Sequence, residues 1–184
     1  MSESQHILAY VAQGDRAAFR QLYELYSAKV YNTALSYAQS EVDAEEITQQ
    51  VFTKVYRSAH SFKGDAAVGT WVYRITINTS LNYLKSRRRR AYVQLDSVPE
   101  ESAGLDHPGI DMERREDAQI LFTVIDTLAE SQKTAFILSY IEELPRQEVA
   151  DVMDTSLKAV ESLLMRAKAN LRKKLADRYP NRKK

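Results

Sequence analysis

The stretch Asp43-Ala44-Glu45-Glu46-Ile47-Thr48-Gln49-Gln50-Val51-Phe52-Thr53-Lys54-Val55-Tyr56-Arg57 reads as a helix. Ile47, Val51 and Val55 recur every four residues and fall on one face. The acids gather at the front, where the helix dipole favours negative charge, and Asp43 is placed to cap that end. The same period extends upstream. Asp15 can cap a helix carrying Phe19, Leu22, Tyr23, Tyr26, Val30 and Leu35 along one face, and a shorter helix from Gln5 to Ala12 ends at Gly14. Downstream, a polar loop with Gly64 and Gly69 precedes a long helix from about Thr70 to Arg90, with Trp71, Ile75, Asn78, Leu81 and Leu84 along it. No strand pattern interrupts the series, so the fold class is all-α.

From about Val93 to Glu113 the helical period is lost. Pro99, Gly104, Pro108 and Gly109 lie there among acids and serines, which predicts a flexible acidic linker between two small helical domains. The second half predicts a helix near Arg115 to Leu128, another from Ser131 to about Glu142, a short one after Pro145, and a long last one from about Ser156. Pro145 suits a first helical turn, where its missing amide would be unpaired anyway.

Composition narrows the function. With 184 residues and no cysteine, the chain can bury a core but holds no disulfide, thiolate zinc site or thiol redox chemistry. No apolar run approaches the roughly 18 residues of a membrane span, and the N-terminus lacks a secretion signal, so the expected location is the cytoplasm without membrane insertion. The net charge of +1 conceals a blocked order. Lys85 and Arg87 to Arg90 form one basic cluster, and Lys168, Arg172, Lys173, Lys174, Arg178, Arg182, Lys183 and Lys184 form another. Between them Asp96, Glu100, Glu101, Asp106, Asp111, Glu113, Glu116 and Asp117 are opposed only by Arg114 and Arg115.

Two segments point to nucleic acid. Pro145 to Leu164 has helix-turn-helix spacing: Val149, Ala150, Leu157, Val160 and Leu164 are placed to pack two short helices steeply, with small Ala150 permitting close approach. Lys158, Ala159, Glu161, Ser162 and Arg166 then project outward, and the basic cluster beyond them can neutralise phosphates. An ordinary helical hairpin with a solvated basic face fits the same pattern. In the first half, Tyr73, Arg74, Asn78, Asn82, Lys85 and Arg87 share a helix with Trp71 and follow the loop Phe62 to Thr70. Aromatic faces beside cations suit an unpaired strand, although both aromatics can equally be packing residues. His6, His60 and His107 are scattered without metal-ligand spacing, and Asp43, Glu45 and Glu46 are accounted for as a helix start. No catalytic residue, metal or cofactor is expected, and the chain does not read as an enzyme.

Taken together, these segments resemble the extracytoplasmic-function group of the sigma-70 family over nearly the whole length. Asp43 to Phe52 resembles that family's polymerase-binding helix. Thr70-Trp71-Val72-Tyr73-Arg74-Ile75, with Asn78 and Tyr83-Leu84, resembles its melting and minus-ten helix, and the C-terminal helix-turn-helix resembles its minus-thirty-five reader. The resemblance implies a sigma2-like domain at 1–92, the linker at 93–113 and a sigma4-like domain at 114–184. It implies contacts from Asp43, Glu46, Gln49, Gln50 and Phe52 to the clamp helices of the largest polymerase subunit, and further contact with the polymerase flap. Phe62, Lys63, Gly64, Asp65, Trp71, Tyr73, Arg74, Asn78, Asn82, Lys85 and Arg87 are implied at the minus-ten element, where the loop holds a flipped base. Thr155, Ser156, Lys158, Ala159, Glu161, Ser162 and Arg166 are implied at minus-thirty-five. The linker would run through the polymerase cleft. The partners so implied are core RNA polymerase, promoter DNA and an anti-sigma factor, with the free chain a monomer.

The chain departs from the family's usual residues at several places. Gln50 replaces a frequent glutamate, Ile77 a frequent arginine, Asn82 a frequent aspartate, Ala129 a usual proline and Asp154 a usual glycine, while Glu161 and Leu163 replace residues that are often basic. Two other functions use the same motifs: a dimeric helix-turn-helix regulator with an N-terminal sensor, and an RNA-binding or scaffold protein built on the Trp71 helix. Neither accounts for the pattern from Asp43 to Phe52.

Overall fold

A computed structural model describes residues 2–93 and 112–178, and all the regular elements in them are helical. The chain divides into two compact units, Met1–Ala103 and Gly104–Lys184. In the first, helices α1 (Glu3–Ala12), α2 (Arg16–Ala38), α3 (Glu41–Ser58) and α4 (Val68–Val93) are joined by short connections, with a 3₁₀ turn at Ala59–Ser61. Helix α2 is central and packs against the other three. In the second, α5 (Met112–Ile125), α6 (Glu130–Phe136) with a π turn at Ile137–Ile141, α7 (Arg146–Val152) and α8 (Leu157–Arg178) follow in order. Of the expected linker, residues 94–111 lie outside the described residues; Val93 ends α4, and Met112 and Glu113 begin α5.

Local chemistry sets most of the boundaries. Ser2 and Gln5 form a reciprocal capping box at the start of α1. The Asp15 carboxylate accepts from the amides of Ala17 and Ala18 at 2.7 and 3.0 Å, capping α2 as its position predicts. Helix α3 is capped differently from the reading above: Ser40 is the cap residue, and its hydroxyl accepts from the amide of Asp43. Asp43 thus enters the first turn with its carboxylate free for tertiary use.

The core of the first unit is built from Leu8 and Val11 of α1, Leu22, Val30 and Ala34 of α2, Ala44, Ile47, Val51 and Val55 of α3, and Val72 of α4. Each fully buried valine, leucine or isoleucine side chain here contributes about 1.5–3 kcal/mol of transfer free energy. Tyr23, expected on the inner face of α2, is 45% exposed. Buried Thr76 and Ser80 on α4 return their hydroxyls to the carbonyls of Val72 and Thr76, so they cost the core no unpaired donor.

The second unit centres on α8, against which α5, α6 and α7 pack. Val124, Ile125 and Leu128 meet Ala167 and Leu171 in one cluster. Val149, Ala150, Val160 and Leu164 are buried as their spacing predicts, but Leu157, at the outer end of α8, is 40% exposed. Pro145 stands at the N-cap position of α7, just before the first turn where it was expected, and makes no side-chain capping bond.

Candidate functional surfaces

Helix α3 turns Glu46 and Gln49 outward, with Gln50 half-buried and its amide donating to Glu46 Oε1 at 3.2 Å. Beside them lies an open cleft lined by Arg16, Phe19, Tyr23, Gln49, Phe52, Thr53, Tyr56 and Arg57. Its floor is aromatic. Phe52 lies 4.6 Å from the Tyr23 ring and edge-on to Phe19, and Phe19 stands 5.2 Å from Tyr56. Phe52 is itself only 4% exposed, so it shapes the cleft as a core residue rather than as a protruding contact.

Asp43, expected on this outer surface, is turned inward. It is 7% exposed; Tyr83 Oη donates to Oδ1 at 2.8 Å, and the Arg87 guanidinium pairs with Oδ2. Tyr83 Oη also lies 2.8 Å from Glu46 Oε2. Burial, followed by these two carboxylates, raises the Tyr83 pKa well above its ordinary value. Arg87, expected at DNA, pairs with Asp43 while its side chain stays 45% exposed.

The remaining minus-ten residues divide by exposure. Asn78, Asn82 and Lys85 sit at helical spacing on one exposed face of α4, continued by exposed Arg89, with Arg88 and Arg90 exposed to either side. Tyr73 is buried, while Trp71 and Arg74 are half-buried. Phe62, Lys63, Gly64 and Asp65 precede that helix; Lys63, Gly64 and Asp65 are exposed, and Gly64 holds φ +81°, a conformation side chains rarely adopt. Phe62 packs on Trp71.

In the second unit, α7 and α8 form a helix-turn-helix. Its corner is made by Asp154 at φ 51°, with the Thr155 amide bonded to the Ala150 carbonyl. Ser156 Oγ accepts from the Ala159 amide at 3.2 Å and caps α8. Thr155, Ser156, Lys158, Glu161 and Arg166 are exposed; Ala159 and Ser162 are half-buried. Arg166 is held back along its own helix, donating to Ser162 Oγ at 2.8 Å.

A further group was not singled out from sequence. Lys168 Nζ lies 4.6 Å above the Tyr140 ring, and Arg146 donates to Tyr140 Oη at 3.3 Å. Lys168 belongs to the second basic cluster, but its partner is 28 positions away and on another helix. The described residues contain no cluster of three metal-ligating side chains and no helix long and apolar enough to cross a membrane.

Two small helical units, one with a polar helix beside an aromatic cleft and a cationic helix, the other a helix-turn-helix, define a multi-surface DNA-binding protein. Residues 22–90 match the family model for sigma-70 region 2, and residues 118–171 that for sigma-70 region 4. The chain belongs to the sigma-70 family, in its extracytoplasmic-function group, and is a sigma factor that binds core RNA polymerase and directs promoter-specific transcription initiation. It is 34% identical over 180 residues to the ECF RNA polymerase sigma-E factor of Haemophilus influenzae, covering 93% of this chain and 94% of that one. The corresponding factor of Escherichia coli K12 is 34% identical over 172 residues, covering 89% and 90%.

Solved structures share the fold. CnrH, solved in complex with the cytosolic domain of CnrY, superposes with a TM-score of 0.70 at 22% identity, covering 96% of this chain and 99% of that one. The sigma factor RpoE of Bartonella quintana, solved with the anti-sigma factor NepR, gives 0.66 at 19%, covering 85% and 96%.

Proposed function

We propose that the three surfaces divide initiation between them. Glu46, Gln49 and Gln50, with the adjacent aromatic cleft, hold the clamp helices of the largest polymerase subunit. The loop from Phe62 and the α4 face of Asn78, Asn82 and Lys85 hold the melted minus-ten strand. Thr155, Ser156, Lys158, Ala159, Glu161, Ser162 and Arg166 meet the minus-thirty-five duplex. The functional boundaries are 1–92, 93–113 and 114–184. The observation that carries this division is chemical: carboxylate and amide groups beside an aromatic cleft on α3, against a run of exposed cations on α4. The first suits protein, the second a phosphate backbone.

The factor performs no bond chemistry of its own, works in the cytoplasm, and is monomeric when free. An anti-sigma factor covers these surfaces in the inactive state; the complex of RpoE with the anti-sigma factor NepR supports that reading. The test is co-migration of the chain with bacterial core polymerase, beside Gln49→Arg. Phe52→Ala is a poor control, since truncating a buried phenylalanine costs about 3–5 kcal/mol of folding stability. Retained binding by the parent and loss in Gln49→Arg is expected; absence of binding by the folded parent overturns the assignment.

A further inference from the structure

The Asp43 cluster joins the two working helices of the first unit. Asp43 lies in the first turn of α3, and Tyr83 and Arg87 lie one turn apart on α4, 40 and 44 positions later. Nearer the other end of α3, Lys54 Nζ donates to Thr79 Oγ1 at 3.0 Å. The two ties pair early α3 with late α4 and later α3 with earlier α4, so they fix the antiparallel register of these helices. A carboxylate this buried needs its partners, because a buried charge left unpaired is strongly destabilising.

Tyr83 adds a choice. Its hydroxyl has one proton and two carboxylate acceptors, Asp43 Oδ1 and Glu46 Oε2, each at 2.8 Å; it can donate fully to only one at a time. Glu46 is exposed and Asp43 is not. Glu46 can therefore leave for an outside partner while Tyr83 keeps its proton on Asp43 and the helices stay tied.

We infer that Asp43, Tyr83 and Arg87 are positioning residues that set the polymerase-facing helix against the DNA-facing helix, and that Glu46 is the exchangeable member, handed from Tyr83 to the polymerase on binding. This rests on the assignment of α3 to polymerase. In this arrangement Arg87 acts on polymerase binding through Asp43.

The experiment measures the affinity of the full chain for core polymerase, and separately the binding of a minus-ten single strand by holoenzyme saturated with sigma factor. Arg87→Ala and Asp43→Asn should each weaken polymerase binding about tenfold, in the lower range of couplings between linked sites. Their combination should lose no more than either alone, and Arg87→Lys should recover most of the loss. Strand binding by saturated holoenzyme should stay at the parent level. Tyr83→Phe, which keeps the ring, should weaken polymerase binding by a smaller factor and serves if the charge variants unfold. Unchanged polymerase affinity in Arg87→Ala and Tyr83→Phe, or a loss confined to strand binding, overturns the inference. A parent chain that fails to bind polymerase removes the underlying assignment as well, and is told apart by that control.

Discussion

Trp71 stands edge-on to Phe62, their ring centroids 5.4 Å apart and their planes inclined at 61°. Phe62 directly follows the 3₁₀ turn and Trp71 lies near the start of α4, so this pair closes both ends of the loop that exposes Lys63, Gly64 and Asp65. Such a ring pair contributes about 0.5–1.5 kcal/mol beyond its buried area. Trp71→Ala should release the loop and slow promoter opening by roughly three- to tenfold on that scale, leaving polymerase binding intact. Permanganate reactivity of minus-ten thymines checks the first, and a template melted in advance should restore initiation.

In the second unit, Lys158→Ala and Arg166→Ala should each reduce discrimination at the minus-thirty-five element by about 1–3 kcal/mol, the scale of a base-edge contact. Core polymerase affinity should be unchanged. Because Ser162 Oγ orients Arg166, Ser162→Ala should weaken the same step by less. Competition binding by holoenzyme, with matched and mismatched promoters, separates these outcomes.

Glu143 follows the π turn at φ 54° without the freedom of a glycine. A side chain in that region costs about 1–2 kcal/mol, part of which glycine returns to the flexible unfolded chain. Glu143→Gly should stabilise the second unit by roughly 0.5–1 kcal/mol, seen as a rise of a few degrees in its melting transition.

Two tyrosines should titrate on opposite sides of the ordinary phenol value of 10.0. Tyr140 is lowered, chiefly by its bond to Lys168, so it should ionise below that value. Tyr140→Phe should reduce the phenolate signal that develops below pH 10.0 in an absorbance titration. Tyr83 is raised by burial and its carboxylate neighbours, so the folded state holds its proton more tightly than the unfolded one. Its contribution to stability is complete below pH 10 and is lost as pH rises beyond it. Tyr83→Phe should flatten that alkaline decline in denaturant unfolding of the first unit.

The inner faces of the helices were legible because Ile47, Val51 and Val55, or Val149, Val160 and Leu164, declare themselves by local period. Asp15 was legible as a cap for the same local reason, whereas Asp154 stood out only as a departure from the glycine usual in the family. Asp43 was not legible. A carboxylate in a first turn looks like a cap from either position, and the guanidinium that engages it is 44 residues away; the hydrophobic period carries no sign of such a pair. Tyr23 and Leu157 are apolar by composition but are exposed near element ends or over the aromatic cleft, where periodicity cannot tell floor from rim. The two family segments were readable as ordered motifs, whereas the Tyr140 group, assembled from three helical segments, was not.

The π turn at Ile137–Ile141 bonds the Glu142 amide to the Ile137 carbonyl, five residues back, where an α-helix would reach four. In alignment terms it holds one surplus residue. A homologue whose helix continues as plain α through this point must be matched with a single-residue gap there, before Pro145. An ungapped comparison would shift correspondences by one position on one side of the turn, pairing Arg146 or Lys158 with the wrong neighbour and presenting a change of register as a change of specificity.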